Sequence, residues 1–241
     1  FHKYIDQSLC IFPFEQDWFE SRGVATNYVG HPFSEIEQPK AGKAQFLNKH
    51  NLKESDKILT LLPGSRQQEI DRHWPVFVET VAALRRDMPE LKVIVGKAGG
   101  VTIPESKLEM LVEKEETRAA IAFGTVALTA SGTATLECAV LDTPEVVCYK
   151  LSSLSGLIAK RLNKSPFIAM VNLIAGREIV PEFLQKNVTV NNLVGAIKPL
   201  LEHSHKRRAM LNGFEEVRRL LGLPGVYSRA ADFILKRTNS G

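Results

Sequence analysis

The chain is short of cysteine, has little excess charge of either sign, and lacks any apolar run long enough to span a bilayer. Its three cysteines, Cys10, Cys138 and Cys148, are odd in number, lie in or beside apolar runs and show no paired CxxC spacing. That pattern speaks against a zinc site and for core thiols in a reducing compartment. No basic, apolar, small-residue leader opens the sequence, so the expectation is a soluble, cytoplasmic chain. The formal net charge is only +4, and its densest cluster, Lys206, Arg207 and Arg208, is followed by Glu215 and Glu216. A nucleic-acid partner is therefore not expected, while weak attraction to acidic ligands or to an anionic membrane surface stays open.

With 241 residues, 44% of them hydrophobic and 24% charged, the chain can bury a full core as one large or two small domains. Apolar runs of strand length, at 8–12, 25–29, 58–62, 92–95, 126–129, 146–149 and 167–171, alternate with segments of helical period. This alternation predicts an α/β fold, a Rossmann-like parallel sheet with helices on both faces. In the helix expected over 69–86, Ile70, Trp74, Phe77, Val78, Val81 and Leu84 recur at spacings of three and four and form a core stripe. From Val190 onward only helical periodicity is visible, which predicts a helical C-terminus. The turn-rich Gly30-His31-Pro32 and the polar residues 34–43 read as a linker.

Two strand-to-helix turns carry candidate chemistry. In parallel sheets ligands bind at the carboxyl ends of strands, against helix N-termini whose free N–H groups favour anions. The first turn is Pro63-Gly64-Ser65-Arg66, leading into Glu69. Gly64 permits close approach of backbone N–H groups to an anion, Ser65 can cap the helix or bond a phosphate oxygen, and Arg66 offers a charged fork. A diphosphate suits it. An ordinary capping box, Ser65 with Gln68 or Glu69, suits it equally. The second Gly and the Lys-Ser/Thr pair of a nucleotide-triphosphate loop are missing.

The second turn, Ser131-Gly132-Thr133, sets hydroxyls around a glycine at a helix start, and Glu137 follows one turn later. The nest suits an anion, and the carboxylate suits either the two hydroxyls of a ribose or simply the helix dipole. A third cluster, Asn172, Gly176, Arg177, Pro181, Glu182 and Gln185, spaces polar groups irregularly among apolar ones. It reads as a loop lining a cleft, or as a loop in which Pro181 opens a short helix. No Asp-x-Asp pair lies beside the turns, so no metal site is expected there.

The strings LLPGSRQQEI, ASGTATLE, VVCYK, IAKRL and VNLIAGREIVPEFLQ, in this order and spacing, resemble the lipid-A-disaccharide synthases, as do residues 9–15 and 29–32. The resemblance implies the C-terminal domain of a GT-B glycosyltransferase. Such an enzyme transfers 2,3-diacylglucosamine from its UDP derivative to 2,3-diacylglucosamine 1-phosphate with inversion, without a cofactor, at the periphery of the inner membrane. It implies that Gly64, Ser65 and Arg66 face the diphosphate, with Glu69 also among the substrate-binding residues, that Ser131, Gly132 and Thr133 supply donors, and that Glu137 binds the ribose. Asn172, Gly176, Arg177 and Gln185 would line the donor pocket.

On the same pattern residues 1–31 are a remnant of an acceptor domain that is otherwise missing, 32–225 the donor domain, and 226–241 a helix crossing back. The family's general base, an Asp of the N-terminal domain, has no matching segment; His31 is the only local stand-in, and its place beside Pro32 in a linker favours a structural role. Exposed apolar area is expected, as is the loss of a strand within 111–125. An amphipathic stretch at 151–164 offers a membrane-facing surface or a helix packed on the sheet. A non-catalytic UDP-sugar-binding fragment and a UDP-sugar epimerase are the alternative readings.

Overall fold

A computed structural model describes residues 4–40, 42–130, 132–150 and 167–238. The chain forms two compact units, one of residues 38–214 and one of residues 1–37 with 215–241.

The larger unit is built on a six-stranded, wholly parallel sheet. In chain order across the molecule the first elements are β1 (Ser8–Cys10), α1 (Pro13–Glu20), β2 (Thr26–Tyr28) and α2 (Lys43–Lys49). Then come β3 (Ile58–Leu62), α3 (Gln67–Asp87), β4 (Lys92–Gly96), β5 (Leu111–Glu113), α4 (Thr117–Ala122), β6 (Val126–Ala130), α5 (Thr133–Val140) and β7 (Glu145–Tyr149). The chain continues through α6 (Met170–Ala175), β8 (Glu182–Leu184), α7 (Val190–Leu200), α8 (His205–Leu220) and α9 (Val226–Thr238).

Sheet order is β5-β4-β3-β6-β7-β8, so the sequence winds outward in one direction from β3 and then in the other from β6. That reversal is where doubly wound sheets open a crevice at the strand ends. All five residues of β3 and of β6 are buried, as central strands covered on both faces require. On one face α2 and α4 pack Phe46, Leu47 and Ala119 against Ile58 and Ile94, and Cys138 of α5 meets Leu62 and Ala127. On the other, α3 packs against α7 and buries Ile70, Trp74, Phe77, Val81 and Leu84 of the expected stripe. Each such side chain stabilises the fold by about 1.5–3 kcal/mol relative to exposure.

Two expectations are corrected. Residues 111–125 do contain a strand: β5 pairs in parallel with β4, Ile94 opposite Leu111 and Gly96 opposite Glu113. It is a three-residue edge strand ending in a buried acid, too short for periodicity to reveal. Residues 167–171, expected as a strand, instead lead into helix α6, which ends at Gly176. A short apolar run is compatible with either element, and the strand in this region is β8, just after Pro181.

In the smaller unit β1 and β2 pair in parallel, and Phe14, Trp18, Leu223, Tyr227, Ile234 and Leu235 are exposed. Among the described residues no helix is long and apolar enough to cross a membrane. The amphipathic stretch at 151–164 lies outside the described residues.

Candidate functional site

Both turns leave the sheet at its reversal, and both need glycine. Gly64 has φ 134° and Gly132 φ 149°, a region that side chains rarely enter. A Cβ on Gly64 would also sit 2.6 Å from Cβ of Glu69. The turns face a single cleft of about 570 Å³ in the larger unit. Gly64, Ser65, Arg66 and Glu69 line one wall, and Gly132, Thr133 and Glu137 line another. Gly96, Thr117, Ile121, Tyr149 and Ile168 are also among the lining residues. Gly96 is tight against Leu62 and Thr117, so any larger residue there would push the floor apart. Ser131 lies outside the described residues.

At the first turn the helix begins one residue later than a Ser65 cap would place it. Arg66 occupies the N-cap position, and Glu69 folds back over it. Oε2 of Glu69 accepts from the N–H groups of Ser65 (3.0 Å) and Arg66 (3.3 Å), while Oε1 accepts from Nη1 of Arg66 at 3.3 Å. The protein's own carboxylate thus sits on the donors that an incoming anion would use. The Arg66 side chain is 80% exposed, so this ion pair holds it weakly and leaves the guanidinium free to turn toward a ligand.

The second turn is braced from below and from the side. Thr135 donates through Oγ1 to the Gly132 carbonyl at 2.9 Å, spending that hydroxyl within the helix start. Glu137 is held by Arg118 of α4, whose Nε donates to Oε1 at 3.0 Å. Arg118 in turn depends on the seating of α4. Buried Glu113 accepts from the N–H groups of Glu115 (2.7 Å) and Glu116 (2.9 Å), just before α4. It also takes Lys49 of α2 and His50, the residue that caps that helix, at 3.1 and 2.8 Å.

Residues of the third cluster are placed differently. Asn172 is fully buried, and its amide is spent on the main chain and on the Glu182 side chain. Oδ1 accepts from Ile179 and Val180 N–H (2.7 and 3.0 Å), and Nδ2 donates to the Val180 carbonyl and to Glu182 (2.9 and 2.6 Å). Glu182 also accepts from the N–H of Ile168 at 2.8 Å, so Asn172 supports a residue of the cleft wall without lining it. Gly176 and Gln185 are likewise not among the lining residues; Gln185 follows β8 with φ 52°. Arg177 lines a separate pocket of about 490 Å³ with Ile179, Pro181 and Lys206.

His31, in the smaller unit, is a structural ring. Its Nδ1 accepts from Phe33 N–H at 3.0 Å, its ring lies 4.9 Å from Phe12 and 5.0 Å from Phe33, and burial lowers its pKa from 6.5.

Comparison with known proteins agrees with this architecture. The glycosyltransferase of kitacinnamycin superposes with a TM-score of 0.57 at 18% identity, over 96% of this chain and 54% of that one. The calicheamicin glycosyltransferase gives 0.55 at 16% identity, over 96% and 52%. At such identities the likeness concerns the fold alone, that of GT-B glycosyltransferases. In sequence, the chain is 38% identical over 232 residues to the lipid-A-disaccharide synthase of Solibacter usitatus, covering 94% of this chain and 61% of that protein. The enzyme of the same name from Granulibacter bethesdensis is 34% identical over 85% and 54%. The chain therefore spans less than two thirds of the length of these curated relatives. The family model described as lipid-A-disaccharide synthetase matches residues 1–231, and the chain belongs to that family.

Proposed function

We propose that the cleft binds the diphosphate of a UDP-sugar, and that the chain is the donor-binding part of a lipid A glycosyltransferase. The observation that carries this reading is the convergence of two glycine-opened helix N-termini, with Arg66, on one cleft where the strand order reverses.

Breaking the sugar–phosphate bond develops negative charge on the departing UDP. Backbone N–H groups and a guanidinium fixed in advance around that charge lower the barrier. In the proposed complex the carboxylate of Glu69 turns aside, the diphosphate takes its place on the Ser65 and Arg66 N–H groups, and Arg66 follows the phosphate. Ser131, Gly132 and Thr133 present the second helix N-terminus, and Glu137, oriented by Arg118, accepts from the ribose hydroxyls. Asn172 and Glu182 hold Ile168 in the wall.

The donor is UDP-2,3-diacylglucosamine and the acceptor 2,3-diacylglucosamine 1-phosphate, met at the inner-membrane surface with inversion at the sugar carbon. Residues 1–31 and 226–241 belong, in this reading, with an acceptor-binding domain, which supplies the base that takes the acceptor proton. His31 has a structural role in this reading, since its Nδ1 accepts from the Phe33 N–H and its ring packs beside Phe12 and Phe33.

Titration of UDP into the wild-type chain and Arg66→Ala by calorimetry tests the reading. Loss of one charge-assisted contact, about 1.5–3 kcal/mol, predicts at least tenfold weaker binding in the variant. Equal affinity would remove Arg66 from the diphosphate site. Sugar transfer by this chain alone would show that the base is already within it.

A further inference from the structure

His73 belongs to none of the motifs, yet it joins the two sides of the cleft. It lies on the buried face of α3, two turns from the helix start, and is fully buried. The main-chain N–H of Lys150, just past β7, donates to Nε2 at 3.0 Å. An N–H can only donate, so Nε2 carries no proton and Nδ1 does. Nδ1 faces the carbonyl of Pro63, the first residue of the diphosphate turn, at 3.3 Å. β3 and β7 are not neighbours in the sheet, since β6 runs between them. The imidazole bridges the chain segments that follow β3 and β7, with its ring 5.9 Å from the ring of Tyr149, a lining residue.

We propose that His73 is a positioning residue of the donor site: a neutral imidazole that ties the Pro63 carbonyl of the Gly64 turn to the Lys150 amide and so sets the width of the cleft. This rests on the UDP-sugar reading of that cleft.

Only the neutral ring with its proton on Nδ1 can make both bonds, because protonation at Nε2 would set an N–H against the Lys150 N–H. Burial, the largest influence, lowers the pKa from 6.5, and Lys150 adds to it. The Pro63 and Glu69 carbonyls and the Glu69 carboxylate oppose it. Glu69 on α3 and Lys150 beyond β7 are the charged groups that face the ring among the described residues. The neutral form therefore prevails at pH 7, and the tie is lost as the pH falls below the lowered pKa.

The test uses UDP-N-acetylglucosamine as probe, since its diphosphate has no proton to lose near neutrality, and measures affinity between pH 5 and 8 in the whole chain. Wild type is expected to bind more weakly once the pH falls below the lowered pKa of the ring. His73→Leu, which leaves a buried N–H and a carbonyl without partners, is expected to bind roughly tenfold more weakly and without that step. His73→Gln keeps an acceptor for Lys150 and cannot titrate. It should bind like wild type at pH 7 and show no step, which keeps the test open should the Leu variant fail to fold.

Nitrogen-15 spectra of the ring at pH 7 should place the proton on Nδ1; a proton on Nε2 overturns the proposal. A folded His73→Leu with wild-type affinity and pH profile overturns it as well, while the donor-site reading survives. If wild type binds no UDP-sugar, both fall.

Discussion

Replacing Glu113 by Gln probes the support on which the second wall of the cleft depends. The carboxylate is buried, which alone would push its pKa up. The N–H groups of Glu116 and Glu115 and the side chains of Lys49 and His50 outweigh burial and hold it at about 2, against an ordinary 4.5. A pKa depressed from 4.5 to about 2 corresponds to about 3 kcal/mol of stability in the ionised state. For a depressed acid that stability is fully present above pH 4.5 and is lost as the pH falls toward 2. Gln keeps an acceptor for the two backbone N–H groups but turns an amide toward Lys49 and His50. The variant is thus expected to be about 2–3 kcal/mol less stable at pH 7 by urea unfolding, or about 4–12 °C lower in melting temperature for a unit of this size. The deficit should shrink as both proteins are taken down toward pH 2. A deficit that is absent at pH 7, or that does not change with pH, would refute the reasoning.

The opposite sign is expected at Glu145, whose carboxyl is fully buried and whose Oε1 lacks a hydrogen-bond partner among the described residues. Burial pushes its pKa well above 4.5 against the Thr129 hydroxyl and the Cys138 thiol, and so favours the neutral form. Its contribution is present below the unfolded pKa and declines by about 1.4 kcal/mol per pH unit as the pH rises from there toward the folded pKa. Glu145→Gln should remove that slope in unfolding measurements between pH 5 and 8, and an unchanged slope would show that the acid is already ionised in the fold. Glu69→Gln takes the negative charge off the proposed diphosphate seat and should tighten UDP binding by about 0.5–1 kcal/mol in calorimetry. Weaker binding would instead mean that the carboxylate itself contacts the ligand.

Much of the α/β pattern is visible in the sequence because it is local. The α3 stripe has helical spacing, the buried strands are continuous apolar runs, and a glycine beside hydroxyl residues marks the handovers into α3 and α5. What escaped is short or depends on distant partners. β5 ends in Glu113, which belongs in the interior only because Lys49, His50 and two main-chain N–H groups meet it there. Asn172 reads as a cleft residue because it is polar in an apolar run, yet its amide folds the loop at 179–182. For His73 the sequence carries one signal, a histidine in line with Ile70 and Phe77 on an apolar helix face. That position does not say whether a ring is merely packed or holds two chain segments together.

By itself the sequence determined the two glycine turns, the helices they open, and the family to which the chain belongs. Each rests on residues adjacent along the chain, where turn geometry and helix capping act. Tertiary structure alone decided that β3 and β6 are neighbours, so that Arg66 and Glu137 share one cleft, and that Glu69 covers the donors of the first turn. It also placed Arg177 in a separate pocket and His73 across the gap between β3 and β7. Those choices follow from which strands pair and which helix faces bury, a competition among the contacts of the whole unit that no local window contains.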